Sequence, residues 1–294
     1  MLFALVFVVG WASGWFTAWA YGDRVGYPWR PGLSGSRAGA DPGPARGAVP
    51  GPASGPAPPD LVSGPETTGR AARLPEVIDL SSMFPGEVFV SGPRDAKLVA
   101  LTFDDGPDNQ FTPRVLDMLK QEGVPATFFM IGNRVRTFPD VVTRTVQEGH
   151  VIGNHTWDHS RLAGMAGKDI RRNIEAAQTA IAEVAGYRPL LFRPAYGDLT
   201  PADVPEITSA GVKIVFWSVD TLDWRGLNSQ QVVAAVMGHA HPGAIVLQHS
   251  AGGRGEDLSG SVAALPVIIR DLRAHGYRFV TVPDLLRVPV AAAP

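Results

Sequence analysis

The sequence predicts an α/β domain whose parallel sheet closes into a barrel of about seven strands. Three observations carry that expectation. Short, continuously apolar runs recur from Lys97 onward, helical segments ending in glycine separate them, and chemically distinctive polar residues fall at the ends of the runs. A strand buried on both faces reads as such a run, without apolar/polar alternation. Regular alternation of strand and helix argues for parallel strands joined by crossover helices.

The runs are KLVALTF (97–103), PATFFMIG (125–132), HVIGN (150–154), PLLFR (189–193), VKIVFWSV (212–219), AIVLQ (244–248) and YRFVTV (277–282). Between them, TPRVLDMLKQEG starts with Thr112 as N-cap and Pro113 at the first helical position, and stops at Gly123. KDIRRNIEAAQTAIAEVAG sets Ile170, Ile174, Ala177 and Ile181 at helical spacing and ends at Gly186. NSQQVVAAVMGHA and VAALPVIIRDLRAHG follow the same plan.

Asp104 and Asp105 follow the first run, and His155 and His159 follow the third. Arg193 ends the fourth, Asp220 and Asp223 follow the fifth, and His249 follows the sixth. In a parallel α/β barrel all of these share the C-terminal rim, where such folds build their sites.

Composition bounds the rest. Apolar residues make up 45% of the 294 residues and charged ones 18%, enough for a real core. A net charge of -2 gives no general electrostatic case for a nucleic-acid partner. There is no cysteine, so disulfides, thiolate metal sites and a lipidated cysteine are excluded. Any metal is held by His and carboxylate.

Residues 1–22 (MLFALVFVVGWASGWFTAWAYG) carry no charged side chain, and about 20 apolar residues span a bilayer. They read as a transmembrane anchor, or as a signal segment cut after Ala18-Trp19-Ala20. Arg24, Arg30 and Arg37 follow the span; counted alone they place the domain in the cytoplasm, but long domains translocate largely regardless of charge. Residues 23–73 are rich in Pro, Gly and Ala and read as a disordered linker, which leaves 74–294 as the folded domain.

The pair Asp104-Asp105 in LTFDDGP raises a question of charge repulsion. HTWDH suggests an answer, since it brings two imidazoles four residues apart. The zincin pattern H-E-x-x-H fails here, because position 156 is Thr and the stretch does not read as a helix. With Asp105 as third ligand the set is two His and one carboxylate, which leaves an open coordination position. One acid then ligates the metal and the other stands free as a base.

TFDDGP, HTWDH, RPAYG, DTLDW and LQH, in this order over residues 97–286, resemble the five motifs of the polysaccharide deacetylase family (carbohydrate esterase family 4, the NodB homology domain). The resemblance implies a distorted (β/α) barrel and metal-dependent removal of N-acetyl groups from N-acetylglucosamine-type glycans, either peptidoglycan or chitooligosaccharide. It implies that Asp105, His155 and His159 bind a divalent metal, Zn2+ first, with Co2+ or Ni2+ as alternatives. By the same resemblance Asp104 is the base, His249 the general acid, and Arg193 positions Asp104. Tyr196 offers a backbone N–H to the oxyanion, and Trp224 and Leu247 line the pocket for the acetyl methyl. One acid of DTLDW orients His249: Asp223 is preferred, Asp220 second. A glycan substrate of this class places the protein outside the cytoplasm, membrane-anchored or secreted.

The third motif departs from the usual Arg-Pro-Pro-Tyr in having Ala195, whose backbone reaches the same angles. Two other functions are weighed. An O-acetyl esterase, on xylan for example, would depend less on His249, since an alcohol leaves more readily than an amine. A non-catalytic glycan-binding module would need neither open metal site nor acid–base pair. Bland readings apply elsewhere: His150, His239, His241 and His275 as solvated side chains, Arg171 on an exposed helix face, Trp157 as a loop plug or sugar platform, and Asp198 as a turn residue or weak substrate contact. Residues 74–92 read as a lead-in or an extra strand.

Overall fold

The computed structural model describes residues 56, 57, 59, 61 and 79–291, all within the second of two compact units (Val49–Pro294). The expected span at 1–22 and most of the linker at 23–73 lie outside the described residues. Among the described residues no helix is long and apolar enough to cross a membrane.

Nine strands among these residues form one sheet in which every strand pairing is parallel. They are β1 (Val88–Phe89), β2 (Leu98–Asp104), β3 (Thr127–Met130), β4 (Val151–Asn154), β5 (Leu191–Phe192), β6 (Lys213–Val215), β7 (Val219–Asp220), β8 (Ala244–His249) and β9 (Arg278–Phe279). Their order is β1-β6-β5-β4-β3-β2-β8-β7, with β9 also on β2. The strands at 97–103, 125–132, 150–154, 189–193 and 244–248 thus form where the apolar runs lie, within a few residues. The lead-in at 74–92 supplies β1.

The run 212–219 departs from expectation. It breaks at 216–218, so β6 pairs with β5 and β1 while β7 pairs with β8 at the other end of the ladder. The sheet is therefore not a ring closed by hydrogen bonds. Its two ends are joined by the chain itself. Arg193 occupies the break: Nε donates to Val215 O at 3.0 Å and an Nη to Phe216 O at 3.0 Å, carbonyls a continuous strand offers to a neighbour. The last run is also shortened, because Thr281 caps a helix that begins at Val282.

Nine α-helices connect or flank the strands among the described residues: α1 (Leu80–Met83), α2 (Thr112–Glu122), α3 (Gly132–Thr137), α4 (Pro139–Gln147), α5 (Gly167–Ala185), α6 (Asp203–Thr208), α7 (Ser229–His239), α8 (Ser259–Ala274) and α9 (Val282–Leu286). In α5 the four residues at helical spacing, Ile170, Ile174, Ala177 and Ile181, are all buried, and Gly186 closes the helix in a left-handed conformation. Helices α3, α4 and α6 escaped the sequence pattern because they are short. Thr112 is not the N-cap of α2: the Asp108 carboxylate accepts the N–H groups of Gln110, Phe111 and Thr112, and Thr112 instead donates its hydroxyl to Ser250 O. That bond ties the turn after β2 to the turn after β8. Leu101 and Phe103 of β2, Phe128 of β3 and Val246 of β8 pack into one core with Leu116 and Leu119 of α2 and Leu265 and Ile269 of α8.

His150 corrects a second expectation. It is not solvated but buried, with Nδ1 accepting the Ala126 N–H at 3.1 Å and the ring edge-on to Phe128. Burial, with Glu148 opposing and Arg144 assisting, lowers its pKa from 6.5 to about 4. The unfolded chain takes up this proton near pH 6.5 and the folded one only near 4, so stability falls as pH drops through that window. The loss is on the order of 3 kcal/mol, at about 1.4 kcal/mol per unit. Urea unfolding at pH 7 and pH 4 measures it, and His150→Gln is expected to remove most of that pH dependence. His239 and His275 are exposed, as is Arg171, and His241 is half-buried.

Candidate active site

Strand β2 ends in Asp104, directly opposite His249 of β8 in the parallel register, two residues beyond the Thr102–Leu247 pair. Residues two apart on a strand share a face, so Thr102, Asp104, Leu247 and His249 look the same way. Arg193, fully buried, lies on that face: its Nη1 donates to Thr102 Oγ1 at 2.8 Å and to Asp104 Oδ1 at 2.7 Å, and its guanidinium stacks 4.1 Å from the Phe129 ring centroid. A buried guanidinium needs this density of acceptors and π-contact to offset lost hydration. One carboxylate oxygen of Asp104 is thereby fixed, and Oδ2 points toward His155 Nε2 at 3.8 Å.

Asp105, His155 and His159 come together with ligand atoms within 4.8 Å of one another, all buried. Asp105 Oδ1 lies 3.3 Å from His155 Nε2 and 3.2 Å from His159 Nε2. His155 Nδ1 is 2.8 Å from Arg193 O, which can only accept, so Nδ1 carries a proton, and in the neutral ring Nε2 is left to present a lone pair toward Asp105. Burial, opposed by Asp105, lowers His159 to about 3, so its ring is neutral.

These groups suit a divalent cation. Asp105 Oδ1 is buried and accepts no hydrogen bond. A buried anionic oxygen facing a lone pair requires a positive charge between them. The backbone is also held in unusual shapes: Asp105, Thr156, His159, Tyr196 and Leu222 all have positive φ, between 56° and 70°. Such angles are costly for non-glycine residues and gather where a site over-determines them.

On the other side of Asp104, His249 Nδ1 lies 2.8 Å from Asp223 Oδ1, and the His249 N–H donates to Asp223 Oδ2 at 2.9 Å. Asp223, not Asp220, meets His249; Asp220 Oδ1 accepts the Leu222 N–H. Burial alone would lower the His249 pKa, but Asp223 overrides it and the imidazole is raised well above its ordinary value. Trp224 follows Asp223 in a short 3-10 turn and is buried. The Tyr196 ring packs edge-on against His159, 4.6 Å between centroids, with the Arg161 guanidinium over it. Arg161 also pairs with Asp198, so Asp198 is held by an ion pair and is no simple turn residue. Trp157 packs against the core under Arg136, the plug reading.

Sequence reasoning missed Ser261, whose hydroxyl donates to Asp223 Oδ2 at 2.7 Å, and Thr102, which shares the Arg193 fork. It also missed Arg134. Ser261 and Arg134 lie outside the five motifs, and Thr102, though it opens TFDDGP, meets a partner 91 residues away.

The polysaccharide deacetylase family profile matches residues 91–215. A peptidoglycan-N-acetylglucosamine deacetylase of Bacillus cereus is 45% identical over 197 residues, covering 67% of this chain and 71% of that protein. The Listeria monocytogenes peptidoglycan-N-acetylglucosamine deacetylase PgdA is 40% identical over 190 residues, covering 64% of this chain; the chain spans 39% of its length. A crystal structure of a peptidoglycan N-acetylglucosamine deacetylase in complex with 4-naphthalen-1-yl-N-oxidanyl-benzamide superposes with a TM-score of 0.68 at 43% identity, covering 70% of this chain and 95% of that one. Motif order, sheet topology and these likenesses agree: the chain belongs to the polysaccharide deacetylase family.

Proposed function

We propose that this protein hydrolyses the N-acetyl group of N-acetylglucosamine units in a cell-wall glycan, peptidoglycan first and chitooligosaccharide second. The observation that carries the reading is the division of two adjacent acids. Asp105 turns into the His155–His159 cluster, while Arg193 holds Asp104 beside it and in register with His249.

A divalent ion held by Asp105, His155 and His159, zinc by preference, supplies Lewis acidity toward the acetyl carbonyl and toward water. Asp104 accepts the proton of the attacking water, its other oxygen fixed by Arg193. The Tyr196 N–H stabilises the oxyanion. His249, kept protonated by Asp223, gives its proton to the departing nitrogen as the C–N bond breaks, so acetate and a free amine result. Leu247 and Trp224 receive the acetyl methyl. Peptidoglycan lies outside the membrane, so this function places the domain there, membrane-anchored or secreted.

The test is acetate release by the full chain from peptidoglycan fragments and chitooligosaccharides. Release that chelation stops and zinc restores is the expected result. No release from either glycan by the zinc-loaded protein sinks the amide reading and leaves an acetyl ester as substrate.

The pH profile carries a further expectation. His249 must be protonated to act, and Asp223 raises its pKa, so the limb on which activity falls with rising pH lies above the ordinary imidazole range. Asp223→Asn removes that charge and is expected to move the alkaline limb of kcat/KM to lower pH. An unmoved limb assigns it to another group.

A further inference from the structure

Resting on the metal reading above, we propose that the linker segment carrying Pro59 and Leu61 is a working part of the metal centre, clamped there by Arg134, so that releasing it weakens metal binding.

Arg134, on α3, is 1% exposed. Its guanidinium donates to three backbone carbonyls on three separate stretches of chain. Nη1 reaches Asp105 O at 2.9 Å, and Nη2 reaches Gly252 O at 2.8 Å and Pro59 O at 3.1 Å. The first stretch holds a metal ligand. The second follows His249 and Ser250. The third belongs to the Pro-rich stretch that reads as a free tether, yet Leu61 is 7% exposed and Pro56 O receives the Asn109 amide. Pro56 and Pro59 therefore lie beside the turn that follows Asp105.

The Asp105 backbone has φ 70°, a left-handed angle that a non-glycine residue keeps only when its surroundings impose it. The hydrogen bond from Arg134 to the Asp105 carbonyl is one such restraint, and it sets the direction in which the carboxylate leaves the backbone. The clamp works because a buried guanidinium must satisfy its donors where they are. Withdraw Pro59 and water replaces one acceptor. The fork then keeps two of these three carbonyl anchors, and its hold on the Asp105 carbonyl is looser.

Groups that orient a metal ligand without touching the ion typically set affinity by about 10- to 100-fold. Arg134 belongs to that class directly, and the linker belongs to it through Arg134. The experiment uses the full chain and measures zinc affinity by competition with a chromophoric chelator, alongside the melting temperature of the metal-free protein. Leu61→Asp places a charge at a buried apolar position two residues from Pro59 and replaces none of the three metal-cluster residues. It is expected to weaken zinc binding by about tenfold, the lower end of the outer-shell range, with little change in metal-free melting. Arg134→Lys keeps the charge but loses the fork, and should lose about 10- to 100-fold. Leu61→Met restores an apolar side chain and should bind zinc like the wild type. Wild-type affinity in Leu61→Asp overturns the role of the linker while leaving the metal centre intact. A wild type that takes up no zinc overturns the centre itself, a different failure.

Discussion

Replacing Asp104 with Asn is expected to lower kcat for acetate release by about 10²- to 10⁴-fold, the range for loss of a positioned general base. Asn is nearly isosteric, and its amide oxygen still accepts from Arg193, so the fork to Thr102 and position 104 persists in outline. What disappears is the charge that takes the proton. It is also the carboxylate that compensates a fully buried guanidinium, so the variant loses stability as well, by about 3–5 kcal/mol if the pair behaves as buried ion pairs do when one partner is removed. Steady-state kinetics below the variant's own melting temperature separate the two effects. KM is expected to stay within a few-fold, since Asp105, His155 and His159 remain. A variant that is folded, binds zinc and retains more than about a tenth of wild-type kcat would exclude Asp104 as the base.

The second large effect concerns His249. His249→Gln should reduce hydrolysis of an N-acetyl substrate by about 10²- to 10⁴-fold, and that of an O-acetyl ester with a good leaving group by far less. An amine departs only when its nitrogen is protonated, whereas an ester oxygen needs less help. The structure makes the variant a fair test. Asp223 keeps two donors after the imidazole is gone, the backbone N–H of residue 249 at 2.9 Å and the Ser261 hydroxyl at 2.7 Å, so its buried carboxylate is not stranded. Equal losses on amide and ester would show that His249 does something other than protonate the leaving group.

The rim was legible in the sequence because each chemically distinctive residue ends an apolar run. Asp104, His155, Arg193 and His249 needed only the inference of parallel strands to fall on one side. The break at 216–218 was not legible, because VKIVFWSV is apolar throughout and the cause of the break is Arg193, a residue on another strand. His150 misled for the same reason. A histidine beside glycine looks solvated until the Ala126 N–H that occupies its Nδ1 is known. Arg134 sits in a short helix with no cap signal, and its three acceptors are backbone carbonyls, which leave no trace in residue types. The choice between Asp220 and Asp223 turned on the 3-10 turn after Leu222.

The pairing of β2 with β8 bears on how the protein is made. A chain is synthesised from its N-terminus, and β3 and β4 line up beside β2 soon after it appears. All three residues of the metal cluster are therefore present by position 159. His249 and Asp223 come later, and His249 finds its place only when β8 slides in along the far side of β2, across a long stretch of intervening sequence. Until then β2 offers an open row of backbone donors and acceptors to any strand nearby, its own kind included. The arrival of β8 removes that hazard and seats His249 opposite Asp104 in one event, so the pairing that completes the rim also ends the period in which the chain is sticky.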